Sequence, residues 1–165
     1  MHKKALEPLV DNSTKILILG TMPGDQSIAQ QQYYANKGNR FWKIMFTIFG
    51  EDFSSSYEDR KALLKKHKIG LWHVLASCVR EGSSDSKIKN EVPNDFNHFH
   101  HHFPNIKHVF FESKSASQFY KKHLQQQSGI CYHVLPSTSG LNAGTSLSQK
   151  IEMWQVLAEI AHVLI

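Results

Sequence analysis

Four short apolar runs narrow the possible folds more than any other feature of the chain. They are "ILIL" at 16–19, "IGLWHVLAS" at 69–77, "HVFFES" at 108–113 and "ICYHVLPS" at 130–137. The first reads as a short buried strand, the second as a buried strand or a strand–helix junction, and the third and fourth as strands. Between them lie helical patterns. Phe41–Phe49 has helix-compatible apolar spacing and is stopped by Gly50, and Tyr57–Lys68 is amphipathic with Leu63 and Leu64 turned inward. Phe96–Phe103 predicts a short helix, Lys114–Gln127 a longer one, and Leu147–Ile165 a closing one, while "REGSSDSKIKNEVPND" reads as a polar loop. Strands alternating with helices predict an α/β layer fold with a mainly parallel sheet, whose ligands bind at the carboxyl ends of the strands. Two loops should open on that edge, "GTMPG" after the first strand and "PSTSGLNAG" after the fourth.

The 165 residues suffice for one domain with a sizeable core, and 1–165 is expected to form a single domain. No apolar run approaches the roughly 18 residues that span a bilayer, and "MHKKALEPLVDNS" lacks the pattern of a signal peptide. The expectation is a cytoplasmic protein without a membrane partner, nucleoid-associated in a bacterium. The two cysteines, Cys78 and Cys131, are too few for an iron–sulfur cluster or a cysteine-rich zinc site, and both are expected as buried thiols. A net charge of +5 favours a polyanionic partner, of which nucleic acid is the commonest.

Several stretches carry candidate chemistry. In "GTMPGDQS", Gly20 and Gly24 let backbone approach a ligand; a plain turn would use the same residues, and neither a P-loop nor a dinucleotide fingerprint is present. In "YYANKGNRFW", Tyr34 suits stacking on a planar base, and Asn39 suits orienting water or capping a helix. Tyr33, Phe41 and Trp42 read as core. Ser137, Thr138 and Ser139 offer small hydroxyls to phosphates. Leu141, between Gly140 and Asn142, is either an ordinary exposed leucine or a wedge that unstacks a base. Lys150 is either a phosphate contact or a solvated cation. The histidines of "HFHHHF" diverge around a helix, so no metal or cofactor is expected. Asp25 and Asp85 are possible bases in stretches where Asp commonly caps turns.

Taken together, these stretches resemble the uracil-DNA glycosylase superfamily over about residues 14 to 157. "ILILGTMPGDQSIAQQQYYANKGNRFWKI" is similar to its first motif region, and "LPSTSGLNAG" to the loop that engages the DNA minor groove. "GLWHVLASCVREGSSDSKI" is similar to the connecting segment of the mismatch-specific and deoxyinosine-directed branches. "GTMPG", "YYANKGNRFWK" and "LPSTS" together most resemble the hypoxanthine-DNA (deoxyinosine) glycosylases. The resemblance implies a three-layer αβα fold around a four-stranded sheet. It also implies a monomeric, monofunctional enzyme that flips a deaminated base (hypoxanthine, or uracil or xanthine) out of double-stranded DNA and hydrolyses its glycosidic bond.

Residue by residue, the resemblance makes Asn39 the water-positioning amide, because Met22 stands where the mismatch-specific branch has an Asn. Asp25 is a rival base. Gly20, Met22, Pro23, Gly24, Tyr34 and Glu112 line the base pocket, and Ser137, Thr138, Ser139, Gly140, Leu141, Asn142 and Lys150 contact DNA. Three departures stand out. Glu112-Ser113 replaces the branch's Asn-Gly, His73 replaces a common acidic residue, and Gly140-Leu141-Asn142 replaces Pro-Ala-Asn. An ionised Glu112 accepts only, so it suits the N1–H of hypoxanthine or the N3–H of uracil. Two alternatives remain open at this point: a non-catalytic nucleic-acid or nucleotide-binding protein with the same fold, and a hydrolase of free nucleosides.

Overall fold

A computed structural model describes residues 1–140 and 144–164. In chain order the elements are β1 (His2–Lys4), β2 (Ile16–Gly20), α1 (Asp25–Gln30), α2 (Phe41–Ile48), α3 (Tyr57–Lys66), β3 (Ile69–His73), β4 (Leu75–Val79), β5 (Lys89–Pro93), α4 (Phe96–His102), β6 (His108–Phe111), α5 (Lys114–His123), β7 (Cys131–Val134) and α6 (Leu147–Val163). A four-stranded sheet runs in the order β3-β2-β6-β7 with every neighbouring pair parallel.

The "ILIL" run becomes a central strand because its side chains alternate between two faces and both are covered. Ile16 and Ile18 point into one core with Phe110, α2, α3 and the Trp154 face of α6. Leu17 and Leu19 point into the other with Val109, Phe111, α4 and α5. All four are fully buried, which gives the expected three-layer αβα arrangement.

The helices begin and end where local chemistry permits. Ser56 accepts the Asp59 amide at the start of α3, Ser113 accepts the Ala116 amide at the start of α5, and Ser146 with Gln149 forms a capping box on α6. Gly50, at φ +66°, turns the chain away after α2.

Three features differ from the sequence expectations. "IGLWHVLAS" is neither one strand nor a strand–helix junction: β3 ends at His73, and Leu75 starts β4 in a separate three-stranded antiparallel sheet, β1-β4-β5. The polar stretch taken as a loop contributes β5, an edge strand with exposed Lys89 and Asn90. Cys131 is exposed on the outer strand β7, so only Cys78 is a buried thiol. No helix among the described residues is long and apolar enough to cross a membrane.

Candidate active site

The carboxyl ends of β2, β3 and β6 open onto one cleft of about 940 Å³. It is lined by Gly20 to Ser27 from the end of β2 into α1, by Tyr34, Asn36, Gly38, Asn39 and Arg40 from the next loop, and by His73, Ser83 to Asp85, Glu112, Ser137, Ser139 and Gly140. Clefts of this size enclose small ligands.

The loop between α1 and α2 is held at several points. The Ala35 amide donates to Ser27 Oγ, the Tyr33 amide to Tyr57 Oη, Trp42 Nε1 to the Tyr33 carbonyl, and Tyr33 Oη to the Glu7 carbonyl. Tyr33, Phe41 and Trp42 are buried in the core, as read from sequence. Tyr34 adopts φ +55°, a backbone state an aromatic residue rarely takes without compensating contacts. Its ring stacks on Phe41 at 3.8 Å between centroids and 14° between planes. One ring face is thereby covered, and the residue lines the cleft. Burial and the Glu112 carboxylate push its phenol well above its ordinary pKa, so it stays protonated.

Asn39 also lines the cleft, and its Oδ1 accepts the Phe41 amide at 2.8 Å. The N-cap of α2 is Arg40, and Asn39, one residue earlier, satisfies the first amide of the helix with its side chain; that bond fixes an amide at the cleft wall. The Arg40 amide donates to the Thr138 carbonyl at 2.9 Å, tying this wall to the loop after β7. The two loops touch so closely that a Cβ on Gly140 would sit 2.6 Å from the Gly38 carbonyl oxygen. Glycine is required there by space.

Just past β6, Glu112 is buried. Its Oε1 accepts both the Thr138 amide, at 2.9 Å, and the Thr138 hydroxyl, at 2.6 Å. Burial raises its pKa to about 7, against the lowering effect of those two bonds. On the cleft floor, a Cβ on Gly20 would lie 3.4 Å from Tyr34 Oη, 3.4 Å from His73 Cδ2 and 3.7 Å from Glu112 Oε2. Gly20 is the bare patch on which these three side chains converge.

Of the residues picked from sequence, Gly20, Met22, Pro23, Gly24, Asp25, Tyr34, Asn39, Glu112, Ser137, Ser139 and Gly140 share this cleft. Thr138 and Lys150 do not reach its surface. Thr138 is fully buried behind Glu112, and Lys150 is buried with Nζ donating to the Ser139 carbonyl at 3.2 Å. Lys150 is thus a strut, one helical turn from Trp154, whose Nε1 donates to the Pro136 carbonyl at 3.0 Å. Desolvation lowers the Lys150 pKa. Asp25 sits half-exposed at the rim in an ion pair with Lys3. Leu141 and Asn142 lie outside the described residues.

Sequence reasoning missed Arg40, Ser83 and Ser84 as lining residues, and gave His73 and Asp85 no place in the pocket. It also missed Arg80, which is fully buried and donates through Nη2 to the Pro23 carbonyl at 2.6 Å, fixing the first loop from behind. The sequence signal for Arg40 was its position beside Asn39; for Arg80 there was none, because it opens a polar stretch.

Comparison with known proteins gives the family. The family model described as the Uracil DNA glycosylase superfamily matches residues 7–160. A hypoxanthine DNA glycosylase of Methanosarcina barkeri is 40% identical over 151 residues, covering 91% of this chain and 94% of that protein. One of Methanosarcina acetivorans is 38% identical over 158 residues, covering 95% and 98%. The solution NMR structure of a Methanosarcina acetivorans protein, described as a candidate uracil DNA glycosylase, superposes with a TM-score of 0.84 at 37% identity, covering 98% of this chain and 99% of that one. A cleft at the carboxyl edge of a parallel sheet, matched over nearly its whole length to these relatives, places the chain in a family: it belongs to the uracil DNA glycosylase superfamily.

Proposed function

We propose that this protein is a monofunctional DNA repair glycosylase. It takes a deaminated base, hypoxanthine first and uracil or xanthine as further candidates, out of double-stranded DNA and hydrolyses its N-glycosidic bond, leaving an abasic site. The observation that carries the reading is the convergence of Tyr34, Asn39 and Glu112 around Gly20 in one cleft, beside the Ser137–Gly140 loop. The relatives are named as enzymes, so the non-catalytic alternative is not favoured.

The glycosidic bond cannot be reached inside the duplex, so the nucleotide is everted. Eversion costs a few kcal/mol and least for a poorly paired base, which contributes selectivity. Ser137 and Ser139 stand where they can meet the phosphates beside the everted nucleotide, and exposed Arg40 adds positive charge at the same edge. Leu141 is proposed to fill the vacated space. The base slides over Gly20, with Tyr34 packed on its face and Glu112 Oε2 accepting its imino N–H.

In the reaction, the bond between C1′ and the base nitrogen breaks and its electron pair leaves with the base. Water forms the new C1′–O bond, and its proton balances the departing base. Asn39 is an amide and takes no proton. With one lone pair of Oδ1 engaged by Phe41, the second lone pair and Nδ2 remain to hold water at the sugar. Positioning and electrostatic preorganisation therefore supply the acceleration. No lysine stands in the cleft among its described lining residues, which agrees with hydrolysis rather than strand cleavage through a Schiff base.

The test is incubation with labelled duplexes carrying hypoxanthine, uracil, xanthine or only normal bases, followed by alkali. Strand breaks after alkali at the deaminated base, and not before alkali, are expected. Absence of breaks from every deaminated duplex would overturn the proposal.

A further inference from the structure

His73 matches nothing in the family motifs, yet the parallel register pairs it with Gly20 and brings it to the cleft floor. Its ring stacks on Tyr33 at 5.0 Å and 7°, so its orientation is fixed by a residue that is itself buried and hydrogen-bonded. Nδ1 is sealed from solvent without a partner. Nε2, bonded to the Cδ2 that faces Gly20, is the nitrogen on the cleft side. A buried N–H without a partner is costlier and rarer than a buried lone pair, so the neutral ring carries its proton on Nε2. Desolvation, aided by the positive field of Arg80, lowers the His73 pKa to about 3, so the ring is neutral across the physiological range.

We infer that His73 is a base-selecting donor: its Nε2–H and the Glu112 Oε2 acceptor flank the same point over Gly20 and together read the lactam edge of a deaminated base. This rests on the glycosylase reading of the cleft and names what the cleft selects. Hypoxanthine presents an N–H beside a carbonyl, and so do uracil and xanthine; Glu112 accepts from the N–H and His73 donates to the oxygen. Adenine and cytosine present the reverse, a bare ring nitrogen beside an amino group. Each would set its lone pair against the carboxylate and its N–H against the histidine N–H. Deamination of adenine to hypoxanthine and of cytosine to uracil inverts the edge, and a fixed donor–acceptor pair detects that inversion; guanine and thymine carry the same lactam edge, so this pair does not separate them from the deaminated bases. A site built this way rejects the mismatched base strongly, because its own polar groups are left unpaired. The same His73 bond strengthens as negative charge moves onto the carbonyl of the leaving base, so the donor assists departure as well as choice.

The test is single-turnover excision by wild type, His73→Phe and His73→Asn. Phenylalanine keeps an aromatic ring against Tyr33 and removes the donor; asparagine restores a donor without the ring. Substrates are duplexes carrying hypoxanthine, uracil, or unsubstituted purine, which lacks both the carbonyl and the N1–H. On hypoxanthine the Phe variant should lose about 100-fold and the Asn variant should recover about tenfold of that loss. Melting temperature and affinity for an abasic duplex should be retained. On unsubstituted purine, wild type should be slow and the Phe variant no slower. The inference is overturned if the Phe variant excises hypoxanthine within about threefold of wild type, if the Asn variant is no faster than the Phe variant, or if purine excision falls by the same factor. A wild type inactive on every deaminated base would instead overturn the glycosylase reading beneath it.

Discussion

Replacing Glu112 by Gln should make the protein more stable at neutral pH and less active, and the structure sets both effects. Burial lifts this carboxyl from 4.5 to about 7. The folded state therefore binds the proton more tightly than the unfolded chain, and the stability it confers is full below about pH 4.5 and lost as pH rises to about 7. At about 1.4 kcal/mol for each pH unit between the two values, the loss is about 3 kcal/mol. Glutamine has the same shape and no charge to bury. Its oxygen is fixed at the Oε1 position by the two Thr138 donors, so its NH₂ takes the place of Oε2 at the cleft floor. Thermal melts of both proteins from about pH 4.5 to 8 should diverge, with the variant about 10 °C higher at the alkaline end. Excision of hypoxanthine should fall about 100-fold, since a donor now faces the base N–H. Parallel melting curves across that range, or a variant less stable than wild type at about pH 8, would show that Glu112 is not a buried carboxyl raised by desolvation.

Asn39→Ala should reduce single-turnover excision about 100-fold or more while duplex affinity persists, and it should lower stability by about 1 kcal/mol through loss of the Phe41 cap, both measurable on one preparation. Gly20→Ala adds a Cβ that meets only ordinary contact distances, so the fold should be kept; the methyl occupies the floor where the base sits, and excision should collapse in the same assay that shows normal melting. Lys150→Met should leave the salt dependence of duplex affinity unchanged, because Nζ holds the Ser139 carbonyl rather than a phosphate; Arg40→Met should reduce the log–log slope by about one, read from titrations at several salt concentrations.

The sheet was legible because "ILIL", the "VFF" of "HVFF" and the start of "IGLWHVLAS" carry their own burial: a short run without polar side chains is explained by cover on both faces. The second sheet was not, because His2–Lys4 and Lys89–Pro93 are polar edge strands whose pairing is set by tertiary contact with β4 and leaves little apolar trace. The cleft residues Gly20, Tyr34 and Asn39 were visible as an odd grouping within one stretch. His73 was visible only as a departure from a pattern; its role depends on pairing opposite Gly20, which sequence order does not reveal. Lys150 was misjudged because a lysine reads as solvated, whereas helical register sets it one turn from Trp154, facing inward toward the loop carbonyls. The Glu112–Thr138 bonds join positions 26 residues apart, a contact that periodicity and composition cannot supply.

The central claim is that an everted deaminated base occupies the cleft over Gly20. A crystal structure with a duplex carrying a 2′-fluorinated deoxyinosine, which resists departure of its base, tests it most directly. The hypoxanthine ring should lie outside the helix against Tyr34, with its N–H within hydrogen-bond reach of Glu112 and Asn39 beside the sugar. A base still stacked in the duplex, or DNA bound on a face remote from this cleft, would contradict it.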